Sequence, residues 1–125
     1  MILGIGADLV EVGRLESAGR RHGERFFRRV FTAAEIAYCE SRPHKYPHYA
    51  ARFAAKEAAF KALGRGWPYG LSWTEVEVLP AEGAPPALHL HGAARQRARS
   101  LGVRRVHVSL AHTPQTALAE VILEG

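Results

Sequence analysis

Arg52-Phe-Ala-Ala-Lys-Glu-Ala-Ala-Phe-Lys-Ala-Leu-Gly64 is the stretch on which the fold turns. Its alanines, its lack of interior Gly or Pro and its closing Gly64 predict a helix with a glycine stop. Phe53, Glu57, Phe60, Lys61 and Gly64 fall at helical spacing, so one face carries an acid and a base among aromatics. Arg52 and Lys56, also one turn apart, form a like-charge pair that is mildly unfavourable alone. One carboxylate among four cations (Arg52, Lys56, Lys61 and Arg65) points to an anionic ligand. The competing reading is a solvated helix whose Glu57–Lys61 pair contributes roughly 0.2–0.5 kcal/mol. Spacing alone does not choose between the two.

Working towards the N-terminus, His44 to His48 reads as a loop after Arg42-Pro43, which stops a preceding helix near Ser41. That helix starts sharply. Thr32 can cap it, Glu35 closes a capping box, and Phe31 can staple onto Ile36. Gly13 to Arg29 reads as helix broken near Gly23. Ile2 to Val10 is a short apolar strand containing Gly4 and Gly6, and two glycines in a strand predict close approach by another backbone. Asp8 sits at its end, where it can also cap the next helix.

Towards the C-terminus, Gly64 to Gly70 is turn-rich. Trp73 to Leu79 alternates as a half-buried strand, Pro80 to Pro86 turns, and Ala87 to His91 is a brief strand. Ala93 to Leu101 is a helix ended by Gly102. Arg105 to Leu110 and Thr116 to Leu123 alternate again. Strands at the start and in the second half, with helices between, predict an α+β fold with a mainly antiparallel sheet packed by helices. The 125 residues, 47% of them hydrophobic, predict a single domain over residues 1–125.

No apolar run reaches the length of a membrane span, so no membrane association is expected. Met1-Ile-Leu-Gly lacks the cationic start of a secretory signal. A single Cys39 fits a reducing compartment, and the expected location is cytoplasmic. The net charge of +5 and pI near 9.9 favour a polyanionic partner: nucleic acid, an acidic protein or a phosphorylated metabolite. Five arginines lie between positions 20 and 29, opposed only by Glu24.

Several residues carry chemistry. His89 and His91 share a strand face, but no third ligand is spaced to join them, so solvent-facing histidines are favoured over metal ligands. His107 and Ser109 alternate with Val106, Val108 and Leu110 and therefore point away from the core. His112 falls at the following turn. Without a G-x-S-x-G elbow, a nucleophilic serine is disfavoured. Asp8 and Glu57 are the acids in apolar or glycine-rich surroundings. Two such carboxylates suit Mg²⁺, which keeps waters and completes its shell from phosphate. Lys61, one turn from Glu57, can neutralise that phosphate.

Four motifs then make a resemblance specific: Gly4-Ile-Gly-Ala-Asp8-Leu-Val-Glu-Val, Phe31-Thr-Ala-Ala-Glu35, the Arg52 to Gly66 stretch, and Val106-His-Val-Ser109-Leu-Ala-His112-Thr. Together, in order and over nearly the whole chain, they resemble the bacterial holo-acyl-carrier-protein synthase family. The resemblance implies a 4′-phosphopantetheinyl transferase that moves phosphopantetheine from coenzyme A to a serine of apo-acyl carrier protein, releasing adenosine 3′,5′-bisphosphate. It implies Asp8 and Glu57 as magnesium ligands and Lys61 as the lysine near the pyrophosphate. Arg52, Gly64, His107, Ser109 and His112 fall in coenzyme-binding motifs, with His44 and Lys45 near the 3′-phosphate. Arg14, Arg21, Arg25 and Arg29 resemble the basic helix that receives the acidic carrier. It also implies a homotrimer with sites between subunits. Two positions depart from the family: Ala7 stands where Thr is common and Ala111 where a hydroxyl is frequent. The competing class is a basic module that binds nucleic acid, supported by the pI and by Phe26 and Phe27 beside Arg25 and Arg29, but no nucleic-acid signature accompanies them. A purely structural oligomer leaves the glycine-flanked Asp8 and the Lys56-Glu57-Lys61 set unexplained.

Overall fold

A computed structural model describes residues 1–125, the Trp67 side chain excepted. Strand β1 (Ile2–Glu11) leads into helices α1 (Val12–His22), α2 (Glu24–Val30) and α3 (Ala33–Glu40), then the long α4 (Lys45–Leu63). Two 3₁₀ turns precede the hairpin β2 (Val76–Ala81) and β3 (Ala84–Leu90). Helix α5 (Gly92–Leu101) and strands β4 (Arg105–His112) and β5 (Thr116–Glu124) complete the chain. The fold is α+β with antiparallel sheets packed by helices. One sheet has the order β1-β5-β4, and the β2-β3 hairpin stands beside it.

The core is the contact between α4 and the three-stranded sheet. Ala54, Ala55, Ala58, Ala59 and Ala62 of the helix are buried, as are Ala117, Ala119, Val121 and Leu123 of β5. Small side chains on both surfaces let helix and sheet approach closely, and the two strand glycines make the tightest contact. A Cβ on Gly6 would lie 1.9 Å from the Ala58 carbonyl oxygen, and one on Gly4 2.2 Å from that of Ala62. The close backbone approach expected from those glycines is therefore that of α4 on β1. Gly6→Ala is expected to cost about 1–3 kcal/mol, because backbone must move to admit the methyl group. Gly13→Ala, with nothing within 4 Å of its Cβ, is the control, expected to be neutral or stabilising in urea denaturation.

The expected elements occur, with shifted boundaries. The break at Gly23 is present, with φ of +58° at that residue. The capping box is made: the Thr32 hydroxyl accepts from the Glu35 amide at 3.2 Å, and Glu35 Oε1 accepts from the Thr32 amide at 2.9 Å. The loop expected over His44 to His48 is instead the start of α4, with His44 as its N-cap. Pro47 falls in the first turn, where amides lack helical acceptors and a proline removes no bond. Trp73–Glu75 is a 3₁₀ turn rather than strand, and the turn expected over residues 80–86 shrinks because β2 and β3 extend to Ala81 and Ala84.

Candidate active site

Strand alternation decides which β1 side chains meet α4. Gly6, Asp8 and Val10 share the face that packs on the helix, while Ile5, Ala7 and Leu9 face outward. Asp8 is thus the one ionisable group β1 turns inward. Lys61 reaches down to it from α4: its Nζ donates to Asp8 Oδ1 at 3.1 Å and to the Ala7 carbonyl at 2.9 Å. The lysine that spacing paired with Glu57 therefore bridges helix to strand. Glu57, one turn earlier, is half-buried. Burial raises its pKa above the ordinary glutamate value, the Asp8 charge raises it further, and Lys61 and Arg14 oppose both. Two carboxyls that feel each other, with Lys61 paired to Asp8 and the Arg14 charge felt by Glu57, make a small charged cluster at one edge of the sheet. Its neighbour is a groove lined by Glu57, Phe60, Lys61, Gly64, Gly66 and Trp73.

Lys56 takes no part in this cluster. It is fully buried, and its Nζ donates to Glu35 Oε1 at 2.8 Å, to the Trp73 carbonyl at 3.2 Å and to the Val76 carbonyl. Glu35 Oε2 in turn accepts from the Val78 amide at 2.8 Å. The set of four cations read as facing an anion loses one member to this structural network, which ties α3, α4 and β2 together.

A second group forms around the N-terminal half of α4. Arg52 is 3% exposed and lies over the Tyr38 ring at 4.2 Å. His112, the last residue of β4, turns inward, and its ring centroid lies 5.0 Å from that of His48. His44 and Lys45 line an adjoining cleft with Arg42 and His112. Lys45 also pairs with Glu40 at 3.2 Å. Arg42 and His48 were not singled out by sequence, although His48 stands one helical turn before Arg52.

His107 and Ser109 belong to neither group. Both are exposed on the sheet face away from α4, where His107 Nε2 lies 3.0 Å from Glu124 Oε1. β5 separates their strand from β1, about 10 Å across two ladder spacings. Within one chain they do not meet Asp8 and Glu57. His91 lies 3.0 Å from Glu77 Oε1, and no metal-competent group of three or more His, Cys, Asp or Glu exists among the described residues. On α1 and α2, Arg20 pairs with Glu16 and Arg28 with Glu24, whereas Arg14, Arg21, Arg25 and Arg29 make no ion pair among the described residues. All four are exposed.

Residues 4–116 match the model of the 4′-phosphopantetheinyl transferase superfamily. A holo-[acyl-carrier-protein] synthase of Koribacter versatilis is 50% identical over 124 residues, covering 99% of each chain. The crystal structure of holo-[acyl-carrier-protein] synthase from Neisseria meningitidis superposes with a TM-score of 0.90 at 30% identity and covers 100% of both chains. That from Helicobacter pylori, solved in complex with coenzyme A, gives a TM-score of 0.84 at 27% identity, covering 96% of this chain and 99% of the other.

Proposed function

Because the chain belongs to the 4′-phosphopantetheinyl transferase superfamily, as a member of its holo-acyl-carrier-protein synthase family, we propose that it moves 4′-phosphopantetheine from coenzyme A to a serine of apo-acyl carrier protein. The reaction is Mg²⁺-dependent and releases adenosine 3′,5′-bisphosphate. The observation that carries this reading is the meeting of Asp8, Glu57 and Lys61 across the α4–β1 contact. The test is one incubation of the protein with coenzyme A, Mg²⁺ and apo-carrier. The carrier should gain the mass of phosphopantetheine, and an unmodified carrier would overturn the proposal.

The serine oxygen of the carrier attacks the phosphorus attached to the pantetheine arm. The bond from that phosphorus to the bridging oxygen breaks, and the bisphosphate leaves with the electron pair. Asp8 and Glu57 fit a magnesium site as a pair of hard oxygen donors close enough for one to raise the other's pKa. Bound there, Mg²⁺ would offset charge on the pyrophosphate and stabilise the leaving oxygen. Lys61, held at 3.1 Å from Asp8, brings a further positive charge to the leaving group. The serine proton passes to Glu57 itself or to a water beside the metal position. Arg52, His112, His44 and Lys45 bind the adenosine 3′-phosphate end, and Gly64 admits the pyrophosphate beside the groove.

The acidic carrier docks on α1 and α2, where Arg14, Arg21, Arg25 and Arg29 project. Arg25→Glu with Arg29→Glu is expected to raise the KM for carrier at least about tenfold, since rim charge reversal slows association and adds repulsion. Binding of coenzyme A should be unchanged, and added salt should weaken the wild-type carrier interaction. An unaltered carrier KM would dismiss this docking surface.

The chain acts as a single domain in a cytoplasmic homotrimer. Support comes from the outer sheet face, where Ile5, Leu9 and Leu118 are 59%, 65% and 43% exposed. His107 and Ser109 lie on that same face, and a head-to-tail packing that sets it against the edge where a neighbour's α4 meets β1 would bring them to that copy's Glu57. Mixing inactive Glu57→Gln with an inactive His107→Ala/Ser109→Ala variant should restore part of the activity after subunit exchange. An active monomer, or no complementation after confirmed exchange, would rule out the shared site.

A further inference from the structure

Arg52 carries an unusual burden for a buried residue. Its Nη1 donates to the His48 carbonyl at a long 3.4 Å, and its Nε, also buried, has no partner among the described residues. A buried guanidinium N–H left unpaired is costly, so the site lacks an acceptor of its own. The ionisable groups around it are cationic or bases, except the Cys39 thiol, which burial keeps protonated. Arg42, following α3, lies over the outer part of the same Tyr38 ring at 5.5 Å. The His48 ring stands edge-on to Tyr38 at 5.8 Å and to His112 at 5.0 Å. The remaining wall, from the β2–β3 hairpin, is Pro80, Ala81, Ala84 and Pro86, none of them ionisable. No carboxylate lines this groove among the described residues.

On the reading that the adenosine 3′-phosphate end of the coenzyme binds beside Arg52, we propose that His48 is a proton-taking member of that site. A phosphate monoester binds between Arg52 and the His48–His112 ring pair together with one proton, which His48 takes from solvent. The electrostatics give the sign. Burial first, then His112, Arg52 and Arg42, hold the His48 pKa below the ordinary 6.5, so its imidazole is neutral at pH 7 in the chain alone. A dianion placed among these groups reverses the local potential, favours imidazolium and gives the Arg52 guanidinium the counter-charge that the groove lacks. Above the second pKa of the phosphate, about 6, affinity therefore rises as pH falls, by up to about tenfold per unit for one linked proton.

The experiment is titration calorimetry of the full chain with adenosine 3′,5′-bisphosphate at pH 7 in two buffers of different ionisation enthalpy. Wild type should show net proton uptake. The phosphate, bound as a dianion, contributes only release, so uptake reports a protein group. Uptake should vanish in His48→Phe, or in His48→Asn if the first variant does not fold. It should also be absent with dephospho-coenzyme A, which lacks the monoester. Uptake that is missing in wild type, kept in the His48 variant or equal with dephospho-coenzyme A would overturn the inference. An enzyme that transfers phosphopantetheine without binding the bisphosphate would overturn it too, and leave the proposed function standing. Proton-linked binding in a protein that modifies no carrier would do the reverse.

Discussion

Asp8→Asn and Glu57→Gln are each expected to lower phosphopantetheinyl transfer by about a hundredfold or more, a loss of roughly 2.7 kcal/mol of transition-state stabilisation. Both substitutions keep shape and remove one of two negative donors. The fold should survive, because Asp8's only ion pair among the described residues is with Lys61, whose side chain is 55% exposed, and such a pair is worth little to stability. The measurement is turnover at saturating coenzyme A across a Mg²⁺ titration, with thermal melts alongside. EDTA on wild type should reproduce the loss. Near-normal turnover of either variant at moderate Mg²⁺ would remove that residue from the site.

The second large effect is on stability. Lys56→Met should cost about 3–5 kcal/mol, because it leaves Glu35 charged and buried and strips a donor from the Trp73 and Val76 carbonyls. Burial pulls the Lys56 pKa below the ordinary lysine value while Glu35 works against it, the signature of an ammonium that depends on its partner. Adding Glu35→Gln to Lys56→Met removes the stranded charge and should recover part of the loss. Urea midpoints of wild type, single and double variants decide the matter. A single variant as stable as wild type would show the pair to be dispensable.

These two predictions also mark what the sequence could and could not disclose. Gly4 and Gly6 were readable, because only close backbone contact justifies two glycines in one strand. Thr32 and Glu35 were readable as a cap, since the capping box is a local pattern. Glu35's second role was not. Its partner Lys56 lies 21 positions away, and a lysine amid helical alanines looks solvated until α3 and β2 close over it. Asp8 and Lys61 stand 53 positions apart: the surroundings of Asp8 and Glu57 suggest a shared Mg²⁺ with Lys61 beside its phosphate, but the direct Lys61–Asp8 contact is visible only in the fold. The loop expected over His44 to His48 is helix from Lys45 because a proline at position 47 falls in the first turn, where it breaks no bond. His48 was within reach, one turn ahead of Arg52, but its meaning depends on His112 arriving from another strand.

The sheet order β1-β5-β4 has a further consequence for how the protein is made. The middle strand is the last to be synthesised, so β1 and β4 have no neighbour in the sheet until Thr116–Glu124 has left the ribosome. Helices and the β2–β3 hairpin, being local, can form during elongation, and α4 can already cover the glycine-notched inner face of β1, whereas the ladder edge of β1 must wait for β5. The ladder that finally closes pairs Ile2 with Glu124 and joins the two ends of the chain. Loop closure over that separation is expected to make sheet formation the slow event of folding. A nascent chain stalled before Thr116 would offer both strand edges to chaperones, or to one another on neighbouring ribosomes.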